Sequence, residues 1–450
     1  MSRRVTGLET EYGCLIDGRL DQKLVLEQIR DWLFENHRYG LIDQHDRDWD
    51  EPAGNGGFLF NGGRVYIDMG HLEYCTGECV SVSDVVRYDR AGDLLLLEAI
   101  DALDLRGKAQ VIRNNIDHHS GATFGCHENY SLNRDAPLHE KNVLSLLAFL
   151  TLRLLFTGAG RVGSMRPGRV RSAAGASHDD RPVPFQISQR ADYIQNDFFE
   201  WVQHNRAIIN TRDEPLADPR FYRRLHLIHG DTNVQPASLF LKVGTTRLVL
   251  DLVDADEMPM IALDDAVKEL RQLSRTLAPP WHVRLCDGQA ADALELLDLF
   301  RQQAAKLFRG RDAETDAVLD LWERVHRGLA EDRSSLVGIV DWVSKEHLLR
   351  AFCEQEGIGW DHPWLEAQDM EYHKIDPETG LGLALANDSG PWAPGELLAA
   401  RSEPPAHSRA HARSHLMREI AGSPAAYCID WDGVEIANQK RTRLLDPFQD

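Results

Sequence analysis

Strict alternation of polar and apolar residues predicts two β-strands near the start of the chain. Successive side chains of a strand point to opposite faces, so Glu9 and Glu11 share one face of the first strand. By the same count Arg64, Tyr66 and Asp68 share one face of the second strand, with Val and Ile behind them. Two strands that gather carboxylates beside an arginine indicate a site for a metal and a phosphate.

The rest of the chain mixes helical and strand patterns. Helical periodicity covers residues 21–34, 84–103, 264–277, 292–308, 312–329 and 342–352, with Asp21 and Asp264 as expected N-caps. Residues 143–156 are almost wholly apolar but too short to cross a bilayer, so they predict a buried helix. Further strands are predicted at residues 58–68, broken by a turn at Asn61-Gly62-Gly63, and at 108–113, 124–132, 225–228, 245–253 and 428–436.

Two segments interrupt these patterns. Residues 36–57 lose all periodicity and predict a long loop, of the kind that often serves as a lid or binding loop. Gly and Pro accumulate over residues 380–405, which indicates a linker. We therefore expect a catalytic domain over residues 1–385 and a small carboxy-terminal domain over residues 386–450.

Composition narrows the functional class. The formal net charge is −21 over 450 residues, which argues against a general nucleic-acid binder, because phosphate backbones are bound by clustered Lys and Arg. Seven cysteines are few and odd in number, which favours a reducing cytoplasm over a disulfide framework. Arg3-Arg4 lacks the long apolar region of an export signal, so neither export nor membrane insertion is expected.

Acidic and imidazole side chains close to the two strands are candidate metal ligands. Magnesium is typically held by a couple of carboxylates together with nucleotide phosphates and water. The candidates are Glu9, Glu11, Glu73, Glu78, His127 and Glu128. The alternative, which the spacing leaves open, is a set of solvated charges met by chance in an acidic protein.

Asp68 is the candidate for proton transfer, because it follows two polar residues on one strand face beside the expected metal site. Its alternative role is an ion pair with Arg64. Cys126 and His127 are adjacent in a predicted strand and therefore point apart, which disfavours a cysteine nucleophile. Cys75 and Cys79 lack a second pair to complete a zinc site, so we expect core thiols.

Two segments concentrate arginine. Residues 210–226 include Arg212 and end at His226, and guanidinium groups there would suit a site that stabilises a phosphorylated intermediate. A salt-bridged turn is the plainer alternative. Arg161, Arg166, Arg169 and Arg171 form the one clear basic run, either a solvated loop or a contact for phosphate or an acidic partner.

Taken in order, a series of motifs resembles one family closely. These motifs are Gly7-Leu8-Glu9-Thr10-Glu11-Tyr12-Gly13, residues 61–79, residues 114–130, Ser188-Gln189-Arg190, residues 209–215, residues 222–233, Asp341-Trp342 and Asp446-Pro447-Phe448. The family is that of the prokaryotic ubiquitin-like protein (Pup) ligase and its sister, the depupylase and deamidase of Pup. Both sisters are related to glutamine synthetase.

The resemblance implies an α+β fold: a glutamine synthetase-like antiparallel sheet cradle packed by helices, with a small carboxy-terminal domain. It implies ATP and Mg²⁺ as cofactors, and a Pup-like modifier and lysine-bearing proteins as partners. The terminal γ-carboxylate of the modifier would be phosphorylated by ATP, and a substrate lysine would then form an isopeptide bond. Implied roles are Glu9, Tyr66 and Glu73 as magnesium ligands, Asp68 as base, Arg64, Thr76 and Trp431 as ATP contacts, Glu11, His127 and His226 as further metal or phosphate-site residues, and Arg212 as a phosphate stabiliser.

The direction of the reaction divides the two sisters. Glu9-Thr10-Glu11, Cys126 and the closing Asp446-Pro447-Phe448 resemble the ligase, whereas the long segment at residues 36–57 and Gly244-Thr245-Thr246 resemble the amidase. Asp68 and Glu73 stand one residue closer than in the ligase pattern, and Leu72 replaces a proline. The sequence favours the ligase, with the amidase as alternative. A catalytically inactive scaffold and a small-molecule amine ligase are further alternatives.

Overall fold

A computed structural model gives the architecture of the chain. It describes residues 3–47, 51–118, 121–163, 182–200, 206–386, 390–393 and 395–450. The strands are β1 Thr6–Ile16, β2 Gly40–Ile42, β3 Gly56–Leu59, β4 Arg64–Asp68, β5 His71–Cys75, β6 Ala109–Ile112, β7 Cys126–Asn133, β8 Arg161–Val162, β9 Phe185–Gln186, β10 Asn196–Phe199, β11 Ala207–Asn210, β12 Tyr222–Leu227, β13 His282–Arg284, β14 Ala290–Asp292, β15 Tyr427–Asp430, β16 Gly433–Ile436 and β17 Thr442–Arg443.

Helices fill most of the remaining described chain. They are α1 Gln22–Phe34, α2 Val82–Ala102, α3 Glu140–Leu152, α4 Leu154–Thr157, α5 Pro236–Asp254, α6 Ala266–Ser274, α7 Ala293–Phe308, α8 Ala313–Glu331, α9 Asp341–Glu356, α10 Pro363–Tyr372, α11 Leu381–Ala384, α12 Glu396–Ala399 and α13 Arg409–Ile420. Short 3₁₀ turns lie at Glu35–His37, Ala191–Tyr193 and Arg333–Leu336. Within the described residues, no helix combines the length and the apolar character needed to cross a bilayer.

One large sheet organises the molecule. Its strand order is β10-β11-β12-β7-β1-β5-β4-β3-β2, and β6 pairs with the second half of β1. Every neighbouring pair is antiparallel except β10 and β11. The predicted α+β class with an antiparallel sheet cradle is therefore confirmed.

Helices cover one face of this sheet. Leu8, Tyr130 and Leu227 project from the sheet into the larger core, which α2 to α9 complete. A second core joins Val65 and Tyr74 to α1 and to the second half of α2. Because strand residues alternate, the side chains between these apolar ones must point to the opposite face, and that face carries the polar site.

The strand predicted at residues 245–253 is wrong, because this segment lies inside α5. The helix is buried on nearly all sides, so its sequence has no polar stripe. A continuous run of leucine and β-branched residues reads equally as a buried strand or a buried helix. Thr245 and Thr246 satisfy their hydroxyl groups on the carbonyl oxygens of Leu241 and Lys242, one helical turn earlier.

Three smaller expectations also change. The N-cap of α6 is Asp265, which accepts a hydrogen bond from Lys268 N, and not Asp264. The segment at residues 36–57 is not loop throughout, since β2 adds an edge strand to the sheet within it. The strand predicted at residues 428–436 is a hairpin of β15 and β16, with Trp431 in its turn.

The carboxy-terminal segment packs against the edge of the large sheet. Met417 and Ile429 join Phe58 and Leu41 of β3 and β2 in a third apolar cluster. Glu78, buried behind β5, accepts hydrogen bonds from Arg409 at 2.6 Å and from Arg413 at 2.7 Å. The division into domains at residue 385 stays a prediction.

Candidate active site

Strand pairing brings the polar side chains of five strands onto one face of the sheet. Directly opposed residues share a face, and the register pairs Glu9 with His127, Asn129 with His226, and Glu11 with Glu73. Tyr66 in turn lies opposite Glu73. The polar face thus carries Glu9 and Glu11 of β1, His127 and Asn129 of β7, Arg224 and His226 of β12, Tyr66 and Asp68 of β4, and Glu73 of β5.

The first group on this face surrounds Glu9. Its carboxylate lies 2.8 Å from His127 Nδ1, accepts a hydrogen bond from Asn129 at 2.8 Å, and lies 3.9 Å from His226 Nε2. Burial opposes ionisation of Glu9, but the two histidines and Arg224 outweigh it and hold the pKa of Glu9 well below its usual range. Burial lowers the pKa of His226 to about 3, so its ring is neutral and keeps a lone pair for a ligand.

The second group consists of Glu11, Asp68 and Glu73, which can each offer a carboxylate oxygen within 4.8 Å of the others. Tyr66 donates its hydroxyl hydrogen to Glu73 Oε1 at 2.6 Å. Burial, followed by the charges of Glu9, Glu11 and Asp68, raises the pKa of Glu73 well above its usual value. A divalent cation with a preference for oxygen ligands fits this set, because it would offset the mutual repulsion of the carboxylates.

Gly125 lets the two groups meet. Its carbonyl oxygen accepts a hydrogen bond from Glu11 N at 3.2 Å. A Cβ atom added there would lie 2.7 Å from His127 Nε2 and still closer to Glu11 Oε1. A side chain at this position would therefore displace both groups.

A pocket opens beside the Glu9 group, between β1 and the carboxy-terminal segment. We call it the Trp431 pocket; its lining includes Gly7, Glu9, Thr76, Arg224, Arg409 and Trp431. Its lining combines apolar side chains with a few polar groups, as the lining of small-molecule sites does. Thr76 Oγ1 accepts a hydrogen bond from Leu8 N at 3.0 Å, which fixes the side chain between the two strands.

Trp431 is positioned by the same contacts that anchor the carboxy-terminal segment. Its indole meets the ring of Phe58 edge-on at 5.0 Å, and the Arg413 guanidinium stacks 4.9 Å from its ring centre. Arg413 also donates to the Trp431 carbonyl oxygen at 2.9 Å. A large aromatic face so held can stack on a flat ring in the pocket.

Two of the predicted arginines are engaged with acids. Arg64 donates to Asp43 at 3.0 Å and to Glu51 at 2.7 Å, and its guanidinium lies 4.1 Å from the centre of the Tyr66 ring. The acids belong to the long segment before β3, so that segment reaches the site. Arg212 is more than half exposed and bonds Glu214 at 2.7 Å, yet it is close enough to disfavour protonation of His226.

Three candidates from the sequence lie elsewhere. Glu78 belongs to the anchor of the carboxy-terminal segment, and Glu128 points to the core face, where Arg153 donates to it. Burial raises the pKa of Glu128, but Arg153 outweighs this and lowers it to about 2. Cys126 is also buried, on the face opposite to His127, so the two side chains point apart as expected.

Of the four arginines in the basic run, only Arg161 lies within the described residues. Arg161 begins β8 and is buried, with its guanidinium 5.7 Å from the centre of the Tyr193 ring, so it is not a solvated loop residue. Arg166, Arg169 and Arg171 lie outside the described residues.

Sequence reasoning gave no role to Asn129, Arg190 or Arg206. Asn129 could have been found by alternation, because it follows His127 by two positions on one strand. Arg190 stands within a motif that carried the resemblance, but a single arginine gives no sign of its surroundings. Burial and the neighbouring Arg206 lower the pKa of Arg190 to about 10, and the attraction of Glu11 only partly opposes them.

A family model and individual sequence relatives place the chain in the same family. The model of the family described as "Pup-ligase protein" matches residues 4–435. The Pup–protein ligase of Jonesia denitrificans is 33% identical over 468 residues, covering 100% of this chain and 96% of that protein. The Pup–protein ligase of Corynebacterium glutamicum strain R is 32% identical over 473 residues, covering 100% of this chain and 94% of that protein.

Solved structures agree with the sequence relatives. The complex of Pup with its ligase PafA matches with a TM-score of 0.84 and 30% identity, over 99% of this chain and 89% of that one. PafA in complex with ADP matches with a TM-score of 0.78 and 30% identity, over 89% of this chain and 88% of that one.

Proposed function

The chain belongs to the Pup-ligase family, and from this premise we propose that it is an ATP-dependent ligase of a Pup-like modifier. It activates the γ-carboxylate of the modifier's terminal glutamate as an acyl phosphate and joins it to a substrate lysine. The names of the relatives and the PafA complexes with Pup and with ADP support ligation over the amidase alternative.

The chemistry requires three things of the chain. A carboxylate does not react with an amine, so its oxygen must first accept the terminal phosphoryl group of ATP. Cationic groups must offset the charge that develops during that transfer. A base must then take a proton from the lysine ammonium, because only the free amine can attack the acyl carbon and release phosphate.

The Trp431 pocket is the proposed nucleotide site. Trp431 and Thr76 would contact the base and sugar end, and Glu9 and Arg224 lie where the pocket meets the polar face. We propose that Arg64 contacts the phosphates. Its hydrogen bond to Glu51 must then break when the nucleotide binds. Arg212, His226 and His127 stand next to the same end and are proposed to stabilise the transferred phosphoryl group.

Glu9, Glu73 and Tyr66, with Glu11 beside them, are the proposed magnesium ligands. Bound Mg²⁺ would neutralise phosphate charge during transfer. Glu73 is kept in place by Tyr66, and Glu9 by Asn129. The observation that carries the proposal is the group of Glu11, Asp68 and Glu73 within 4.8 Å of one another beside a pocket for a nucleotide.

Asp68 is the proposed base. It lies on the same face as the carboxylate group at the tip of the β4–β5 hairpin, opposite His71. A lysine that approaches from this tip would give a proton to Asp68, and its free amine nitrogen would then attack the acyl carbon. Action in the cytoplasm, where ATP and a reduced pool of thiols are available, is part of the proposal.

One assay tests the function. The purified protein is mixed with ATP, Mg²⁺, a glutamate-terminated modifier and a lysine-bearing acceptor, and in parallel with a preformed conjugate. Ligation predicts a product whose mass is the sum of modifier and acceptor less one water, together with ADP. Cleavage of the conjugate without net ligation would favour the amidase, and binding of no nucleotide would leave only a scaffold.

A further inference from the structure

Arg190 is a buried cation whose guanidinium has no hydrogen-bond acceptor among the described residues. The residue is 2% exposed, and its Nε and Nη1 atoms are buried and unsatisfied. Moving a charge out of water is costly unless it is paired, and an unpaired buried charge destabilises a fold by several kcal/mol as an order of magnitude. A ligand that supplies the missing anion would remove this cost.

Asp231, which contacts the backbone of Arg190, does not supply that anion. Asp231 already accepts hydrogen bonds from the backbone N–H groups of Ala159, Gln189 and Arg190, and from the Ser188 hydroxyl. These bonds fix the loop that carries Arg190. The guanidinium is therefore held in position before any ligand arrives, which reduces the entropy cost of binding.

A second arginine accompanies it. Arg206 is close enough to lower the pKa of Arg190, and within the described chain its own side chain makes no hydrogen bond or ion pair either. Both guanidinium groups are attracted by Glu11. Two neighbouring guanidinium groups without acceptors in the described chain form an anion receptor. A guanidinium can bind both oxygens of a carboxylate at once, which suits this ligand.

This receptor and the proposed nucleotide pocket lie at different positions along β1. The Trp431 pocket is lined by the start of β1, from Val5 to Glu9, while the receptor lies near Glu11. Two residues of strand advance the chain by about 7 Å. The magnesium group thus stands between the nucleotide on one side and the paired arginines on the other.

Resting on the proposed function, we infer that Arg190 and Arg206 bind the main-chain carboxylate of the modifier's terminal glutamate. A terminal glutamate brings two carboxylates, and only the side-chain one is to be activated. Holding the main-chain carboxylate on the arginines leaves the side-chain carboxylate to face the magnesium group and the terminal phosphoryl group. The receptor thereby selects a free chain end and prevents phosphorylation of the wrong carboxylate.

The test compares two synthetic modifier peptides, one ending in glutamate and one ending in glutamate with a main-chain carboxamide. Both retain the side-chain carboxylate. The unaltered protein should bind the free acid about 10- to 100-fold more tightly than the amide, the value of a charge-assisted hydrogen bond. Fluorescence anisotropy of labelled peptide without ATP gives this ratio, and kcat/KM for conjugation with ATP and Mg²⁺ should show the same preference.

Arg190→Gln should remove most of that preference by weakening the free acid alone. Arg206→Gln should reduce it in part. Arg309→Gln is the matched control, because Arg309 is an exposed surface residue paired with Asp320 and should keep the full ratio. ATP affinity should be unchanged in all three variants, and Arg190→Gln should raise Tm without peptide because it removes an unpaired buried charge.

Each contrary result has a distinct meaning. Equal use of both peptides by the unaltered protein would refute the receptor while leaving the ligase function intact. An equal loss for both peptides in Arg190→Gln would also refute it, since Arg190 would then serve a group common to the two. Failure to conjugate either peptide, with no ADP formed, would refute the proposed function itself.

Discussion

Glu11 lies directly opposite Glu73 across the β1–β5 ladder. Like charges in this arrangement repel, and burial of Glu73 increases the cost because little water screens the pair. The arrangement is destabilising in the free protein and becomes favourable when a cation lies between the carboxylates. Burial and the neighbouring carboxylates raise the pKa of Glu73 well above its usual value, so full ionisation of the site is opposed until the proposed magnesium ion offsets the charges.

Replacing Glu73 by glutamine tests that relief. Glu73→Gln keeps the shape but removes one of the repelling charges, so we expect the variant without Mg²⁺ to be at least as stable as the unaltered protein. Addition of Mg²⁺ with ADP should raise Tm of the unaltered protein and raise that of the variant much less. Thermal unfolding with and without Mg²⁺ measures this, and an equal Mg²⁺-dependent rise in both would remove Glu73 from the metal site.

Asp68→Asn should abolish turnover while nucleotide affinity stays largely intact. Loss of a general base typically costs about 10²- to 10⁴-fold in rate, because the lysine remains protonated. Conjugation rate and ADP affinity are measured on the same preparation. Formation of the acyl phosphate, followed by release of ADP without an acceptor, should persist; full conjugation activity in the variant would disprove the role.

Glu51→Gln should strengthen ATP binding. Arg64 donates to Glu51 and to Asp43, and we propose that it must turn to the phosphates when the nucleotide binds. Removal of one competing charge should lower Kd for ATP by roughly 3- to 10-fold, the value of a partly buried ion pair. Glu27→Gln, on the exposed side of α1, is the matched control. Calorimetric titration that gives weaker binding in Glu51→Gln would mean that this acid supports the site.

Acid should loosen the carboxy-terminal segment through Glu78. Burial disfavours its carboxylate, but Arg413 and Arg409 outweigh burial and lower the pKa of Glu78 from its ordinary value of 4.5 to about 2. A depressed pKa stabilises the fold above about pH 4.5 and loses that contribution as pH falls towards 2. The interval from 4.5 to about 2 corresponds to roughly 3 kcal/mol of folding free energy.

Glu78→Gln should lower the free energy of unfolding at pH 7 and flatten its decline between pH 4.5 and 2. Nucleotide affinity should fall as well, since Arg413 also holds Trp431. Urea unfolding across this pH range, with Glu435→Gln on the exposed face of β16 as control, separates the effect from general protonation. An unchanged pH profile in Glu78→Gln would show that the anchor lies elsewhere.

The sequence by itself determined local features of this protein better than it determined the overall architecture. Alternation alone placed Glu9 with Glu11 and Arg64 with Tyr66 and Asp68, because the two-residue period of a strand depends only on neighbouring atoms. Helix N-caps such as Asp21 can also be predicted from sequence, since the side chain accepts a hydrogen bond from the backbone N–H three residues later. By contrast, the sequence of α5 resembles a strand, because burial on nearly all sides removes the polar stripe that marks a helix.

What only the tertiary structure decided is which distant groups meet. From sequence alone, Glu78 and Glu128 are candidate ligands beside Glu73, but in the fold Glu78 pairs with Arg413 and Glu128 with Arg153. Within the part of the chain that the structure describes, it also provides no acceptor for the Arg190 guanidinium. Ion pairing and burial depend on distances between segments far apart in the chain, and no short-range pattern of side chains encodes those distances.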